Sequence, residues 1–226
     1  MGYAMPAHLS YCLTGGGAVF LDTRRNRYFR LGSRSEATFR SLVESGEAQA
    51  HDVEPLIRLG VLQSIPEAGA RLYQAAAPSP SRSLVEERQA SSPSDGRLTL
   101  EIAHAVAKTW VSLKCSSLSS VVDRHRAIRK RRLAHPLAAQ SHSAAHDVFG
   151  LSASFNQGRR IVPIDTVCLL DSFALLGFLA RRDRFPQMVF GVRLNPFTAH
   201  CWVQQDEIVL NDAVERATTY TPILVV

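Results

Sequence analysis

Between residues 75 and 95 the chain is rich in alanine and serine and broken by Pro78, Pro80 and Pro93, with too little apolar surface to order itself. Cores must then form on either side of it. The expected organisation is an N-terminal domain over 1–77, a flexible linker over 78–96 that can drape across its neighbour, and a C-terminal domain over 97–226. Of the 226 residues, 46% are hydrophobic and 20% charged, a balance that suits packed globular protein.

The N-terminal part reads as three strands followed by helices. Strands are expected over 10–14, 18–22 and 28–31, with Gly15-Gly16-Gly17 turning between the first two. Ser33 or Ser35 can cap a helix that sets Phe39, Leu42 and Val43 on one face and stops at Gly46. A second helix runs from Asp52 through Leu56, Ile57 and Leu59 to Gly60, and 61–65 leaves it extended.

The C-terminal part opens helical over 98–133. Ile102, Val106, Trp110 and Leu113 recur at helical intervals, and the serines at 116, 117, 119 and 120 suggest a break. Pro136 ends this region, and a further helix is expected over 144–156. The net charge of +6 owes much to Arg124, Arg126, Arg129, Lys130, Arg131 and Arg132. No aromatic interleaving or DNA-reading motif accompanies that run, so it reads as a solvated or docking face and nucleic acid is not the expected partner. No stretch nears the ~20 apolar residues of a membrane span. Without a basic-then-apolar start, and with Cys12, Cys115, Cys168 and Cys201 forming no CxxC pair, the chain reads as cytoplasmic with reduced thiols.

Chemistry concentrates near the C-terminus. A helix over 164–181 follows Pro163, with Asp165 or Thr166 as its N-cap and Cys168 in its first turn. Unpaired backbone N–H groups and the positive end of the helix dipole favour a thiolate there, and can receive an oxyanion. Two strands, 200–203 and 208–212, then flank the polar turn 204–207. Centring that turn on Asp206 makes His200 and Asp212 direct cross-strand partners, with Cβ atoms ~4.5–5.5 Å apart. A one-residue slip would send them to opposite faces. Nucleophile, base and orienting acid together make a Cys168–His200–Asp212 triad. Zinc is not expected, because His200 and Cys201 point to opposite faces of a strand, and no cofactor is implied.

At these residues the sequence resembles the B protein of lasso peptide biosynthesis in its fused form. The resemblance rests on Tyr11-Cys12-Leu13, Cys168-Leu169 with Ser172 and Ala174-Leu175, Gly191-Val192-Arg193, Pro196-Phe197, His200, Trp202-Val203 and Asn211-Asp212. Cys201 departs from it, standing where the family usually has a small residue. The resemblance implies an α+β chain, a small winged-helix-like recognition domain followed by a papain-related, transglutaminase-like cysteine peptidase domain. Cys168 would attack the bond joining leader to core, His200 would move the protons and Asp212 would orient the imidazole. The leader of a lasso precursor peptide would add as a strand to the edge formed by Tyr28, Phe29, Arg30 and Leu31. Leu56, Leu59 and Val61 would help line an apolar pocket beside that edge. A separate ATP-dependent lasso cyclase would then close the ring. The same triad also fits a transglutaminase-like acyltransferase, and the two-part layout fits a non-enzymatic peptide- or nucleic-acid-binding module.

Overall fold

A computed structural model describes residues 2–46, 50–66, 69–87, 96–133 and 143–226. The N-terminal part runs β1 (Gly2–Ala4), β2 (Leu9–Thr14), β3 (Gly17–Asp22), β4 (Arg27–Phe29), α1 (Ser33–Ser45), α2 (Ala50–Arg58), β5 (Gln63–Ile65) and β6 (Gly69–Arg71). After β7 (Arg82–Ser83) come four helices, α3 (Gly96–Cys115), α4 (Leu118–Leu133), α5 (Ser143–Arg159) and α6 (Cys168–Ala180). The chain ends with β8 (Gln187–Arg193), β9 (Thr198–Gln205), β10 (Ile208–Val209), α7 (Val214–Thr218) and β11 (Thr221–Val225). The described strands form sheets ordered β5-β1-β6, β2-β3-β4 and β11-β8-β9-β10-β7.

Strand β3 explains how the two parts meet. All six of its residues are buried. Ala18 and Phe20 face a core with Tyr11, Phe39, Leu42, Val53 and Leu56, where the Phe39 ring stands edge-on to Tyr11 at 4.9 Å and to Phe20 at 4.8 Å. Val19 and Leu21 face the other way and join Cys12 in the core built by α3, α6, β8, β9 and β11. Covered on both faces, the strand reads as an unbroken apolar run rather than an alternating one. The β3–β4 turn is tied to α4 by Ser119 N–H donating to the Thr23 carbonyl at 3.0 Å. The β2–β3 turn meets the C-terminal part too, since a Cβ on Gly16 would come within 2.7 Å of Leu194 Cδ1.

The segment expected to be a flexible linker does more than drape. Ser81 N–H donates to the Glu207 carbonyl and Leu84 N–H to the Val209 carbonyl, both at 2.9 Å, and β7 extends the large sheet in parallel with β10. Leu84 is buried. Composition argued that this stretch has no core of its own, and it needs none: an open sheet edge supplies its backbone partners. Residues 88–95, including Pro93, lie outside the described residues, as does Pro136. The serine-rich break falls between α3 and α4, where Ser117 Oγ accepts from Ser120 N–H at 3.2 Å as an N-cap. Strand β4 is shorter than expected and ends at Phe29, so Arg30 and Leu31 lie beyond it.

Leu56 is 0% exposed and Leu59 61% exposed. Replacing Leu56 with Ala is expected to cost ~2–5 kcal/mol of stability. The same change at Leu59 is expected to stay within ~0.5 kcal/mol. Chemical denaturation of the two variants measures both.

Candidate active site

Cys168 is the first residue of α6, and the residue before it, Val167, is an extended N-cap with no side-chain cap bond. Sequence placed the cap at Asp165 or Thr166, two or one positions too early. The reason is Arg159, at the end of α5, which is only 5% exposed. Its guanidinium donates to the carbonyls of Val162 (3.2 Å), Ile164 (2.9 Å) and Asp165 (3.1 Å), and its Nε donates to Asp171 Oδ1 at 2.6 Å. Those bonds hold the approach to α6 out of the helix and anchor its first turn. The Cys168 N–H is thereby left among the unpaired amides of a helix start.

His200 lies on β9 opposite Gly191 of β8. A Cβ on Gly191 would meet Tyr220 Cβ at 2.6 Å and Trp202 Cζ3 at 2.9 Å, so glycine is what lets those two side chains close in. The imidazole sits between them, 5.2 Å from the Tyr220 ring and 6.2 Å from Trp202.

Asp212 does hydrogen-bond His200 Nε2, but the expected ladder pairing is not how it gets there. The turn is Asp206-Glu207, with Asp206 at φ 53°, and it pairs Gln205 with Ile208 and Gln204 with Val209. That register is one residue off the expected one, so a continued strand would turn Asp212 away from His200. The ladder stops instead. Leu210 N–H donates to the Val203 carbonyl at 2.8 Å, but Val203 N–H donates to the side-chain Oδ1 of Asn211, also at 2.8 Å. The Leu210 carbonyl is taken by Asn156 Nδ2 at 2.7 Å. Asn211 thus replaces a backbone partner and releases the chain to swing Asp212 round. Ser83 of β7 fixes the result, its Oγ donating to the Asp212 carbonyl at 2.6 Å, while Asp212 Oδ1 accepts from Ala213 N–H at 2.8 Å.

The electrostatics match a nucleophile. Cys168 is held down to about 4: the Cys201 thiol hydrogen-bonds it, burial opposes, and the hydrogen bond and charge of His200 and the Cys201 N–H add to the lowering. Burial pulls His200 down, but the hydrogen bonds and charges of Asp212 and Cys168 outweigh it and lift the group to about 9. Between those values the pair rests as thiolate and imidazolium. With Nε2 committed to Asp212, Nδ1 is the nitrogen left for the sulfur. Among the described residues, no three or more His, Cys, Asp or Glu side chains group to hold a metal.

The seven residues expected at the recognition edge divide. Phe29, Arg30, Leu31, Leu59 and Val61 line a groove of about 1420 Å³ along the open side of β4. Its walls carry Arg24, Arg25, Arg27, Arg30 and Arg58 against Asp22 and Asp123. Leu56 does not line the groove; it faces inward from α2 into the N-terminal core. Tyr28 points the other way from Phe29, toward the C-terminal part, where its ring meets Phe197 at 5.6 Å. Burial, then the charges of Cys201, Cys168 and Cys12, push its phenol up. The edge strand therefore puts one side chain on the core cluster against which the candidate nucleophile also packs. Arg159, Asn211 and Ser83 were missed by sequence reasoning. Only Asn211 carried a signal, a strand-breaking residue next to Asp212.

Residues 109–225, just over half the chain, match the family model described as the transglutaminase-like superfamily. That family supports a papain-like cysteine peptidase or acyltransferase type of enzyme. No curated protein and no solved structure matches the chain.

Iodoacetamide labelling of Cys168, followed peptide by peptide, is expected to reach half its maximum near pH 4, against ~8.5 for an unperturbed thiol. Asp212→Asn removes a group that raises His200, so the upper limit of the ion pair moves below about 9. Arg159→Met strands Asp171 and three carbonyls, and chemical denaturation is expected to show a loss of ~3–5 kcal/mol.

Proposed function

The chain belongs to the transglutaminase-like superfamily, and on that premise we propose that it is the leader peptidase of lasso peptide maturation. It binds the leader of a ribosomal precursor and hydrolyses the leader–core bond. The observation that carries this reading is the closeness of an open strand edge to the triad's core: Phe29 faces a peptide-sized groove while Tyr28, next to it on β4, meets Phe197 and packs on the same core cluster as Cys168.

In this reading the leader pairs with β4 as an added strand and lays its acidic side chains among the groove arginines. Docking in the same chain raises the concentration of the scissile bond at Cys168. The thiolate attacks the carbonyl of the last leader residue. The oxyanion forms beside the free N–H groups that open α6. His200 gives its proton to the leaving amine, and the core departs with a free N-terminus. Water, deprotonated by His200, then cleaves the leader thioester and restores the thiolate. Asp212 holds the imidazole throughout. The free core amine is what a separate ATP-dependent cyclase would join to a side-chain carboxylate.

A candidate precursor incubated with the protein is expected to give a single cut at the leader–core junction by mass spectrometry. Cys168→Ala is expected to abolish the cut while a labelled leader still binds. Arg27→Glu with Arg30→Glu is expected to weaken leader binding about tenfold or more at low salt. A leader released as an amide of an added amine, not as the free acid, would make the enzyme an acyltransferase. Absence of both binding and turnover would sink the reading.

A further inference from the structure

We propose that Cys168 and Cys201 are a redox modification site, closing into a reversible disulfide when a hydroperoxide oxidises the nucleophile. Cys201 directly follows His200 on β9, so its side chain leaves the opposite face of the strand, the face that α6 covers. It is 3% exposed, and Cys168 packs against the same core cluster. Ser172, one helical turn beyond Cys168, donates its Oγ to the Cys201 carbonyl at 3.4 Å, which ties the start of α6 to residue 201. Cys201, through its thiol and its backbone N–H, is also the neighbour that most lowers the Cys168 thiol. The two sulfurs are neighbours inside a packed interface, and only Cys168 is open enough to meet an oxidant.

The chemistry balances in two steps. The Cys168 thiolate attacks one peroxide oxygen; the S–O bond forms, the O–O bond breaks, and the departing hydroxide takes the His200 proton and leaves as water. Sulfur is oxidised to the neutral sulfenic acid and peroxide is reduced. Cys201 sulfur then attacks Cys168 sulfur; the S–S bond forms, the S–O bond breaks, and the thiol proton leaves with the hydroxide as a second water. Before oxidation, the hydrogen bond to Cys168, burial and the Cys168 charge all keep Cys201 protonated. Conversion of Cys168 to a neutral group removes the last of these, so Cys201 becomes better able to attack once there is something to resolve. A thiolate held near pH 4 is open to irreversible overoxidation, and the disulfide stores it in a recoverable form.

The test needs no substrate and does not depend on which bond the enzyme cuts. The full-length protein is treated with hydrogen peroxide, its remaining thiols are blocked with iodoacetamide, and it is digested with trypsin. The expected product joins peptide 161–181 to peptide 194–216, at the sum of their masses less two hydrogens. Dithiothreitol should separate them and restore iodoacetamide labelling of Cys168. In Cys201→Ala the same dose should drive Cys168 to sulfinic acid, which dithiothreitol does not reverse. Sulfinic Cys168 without the joined pair in the unaltered protein overturns the proposal, as does Cys168 joined to Cys12. The map of the unaltered protein decides the matter even if the variant fails to fold.

Discussion

Burial of β3 on both faces is the constraint on which the other relations depend. Ala18 and Phe20 close the core under α1 and α2, while Val19 and Leu21 close the core shared with α6 and β9. Six residues of one strand thus lock a helical cap and the α6–β9 layer into one body. The consequence for chemistry is positional. Strand β4 pairs with β3 and inherits its placement, so the open edge and its groove lie at a fixed distance from Cys168. A flexible tether between two separately folded domains would leave that distance free.

Within the C-terminal part, the candidate triad is aimed by polar groups that are far away in sequence and take no part in it. Arg159 gathers three carbonyls and Asp171 to set where α6 begins. Asn211 ends the β9–β10 ladder by standing in for a backbone carbonyl, and Ser83 holds the Asp212 backbone from a strand 129 residues earlier. Each satisfies groups that would otherwise be buried without partners, so their removal acts on geometry and stability together.

These long-range contacts mark the limit of what was legible in the sequence. Helical periodicity revealed α1, α3 and α6 because a buried stripe leaves a pattern in the chain itself. The cysteine, histidine and aspartate were legible as residue types in order, and they do meet. The route by which Asp212 arrives was not legible, because a hairpin read from sequence assumes that pairing continues, and here a side chain interrupts it. The sheet pairing of residues 81–84, inside the expected linker, was not legible for a related reason. Composition reports whether a segment can bury its own surface, and says nothing of an edge elsewhere with free backbone groups. Leu56 and Tyr28 show the same limit at single positions: one was named for an apolar pocket and the other for the edge beside it, and the packing of α2 and the pleat of β4 turn both side chains away from the groove.

Cys201 departs from the pattern of the resemblance drawn from the sequence. A small residue after the histidine would leave room against the start of α6, and a cysteine there does two opposed things. As a hydrogen-bond donor, it is the first cause of the low pKa at Cys168, ahead of His200. That makes the nucleophile more fully ionised at acidic pH and correspondingly more exposed to oxidants. As a second sulfur packed on the same core cluster as the first, it is also the group that, in the proposal above, ends that oxidation at a reversible stage. The same side chain increases the hazard and limits it, and both effects follow from one fact of strand geometry: residue 201 must face α6 if residue 200 is to face Trp202 and Tyr220.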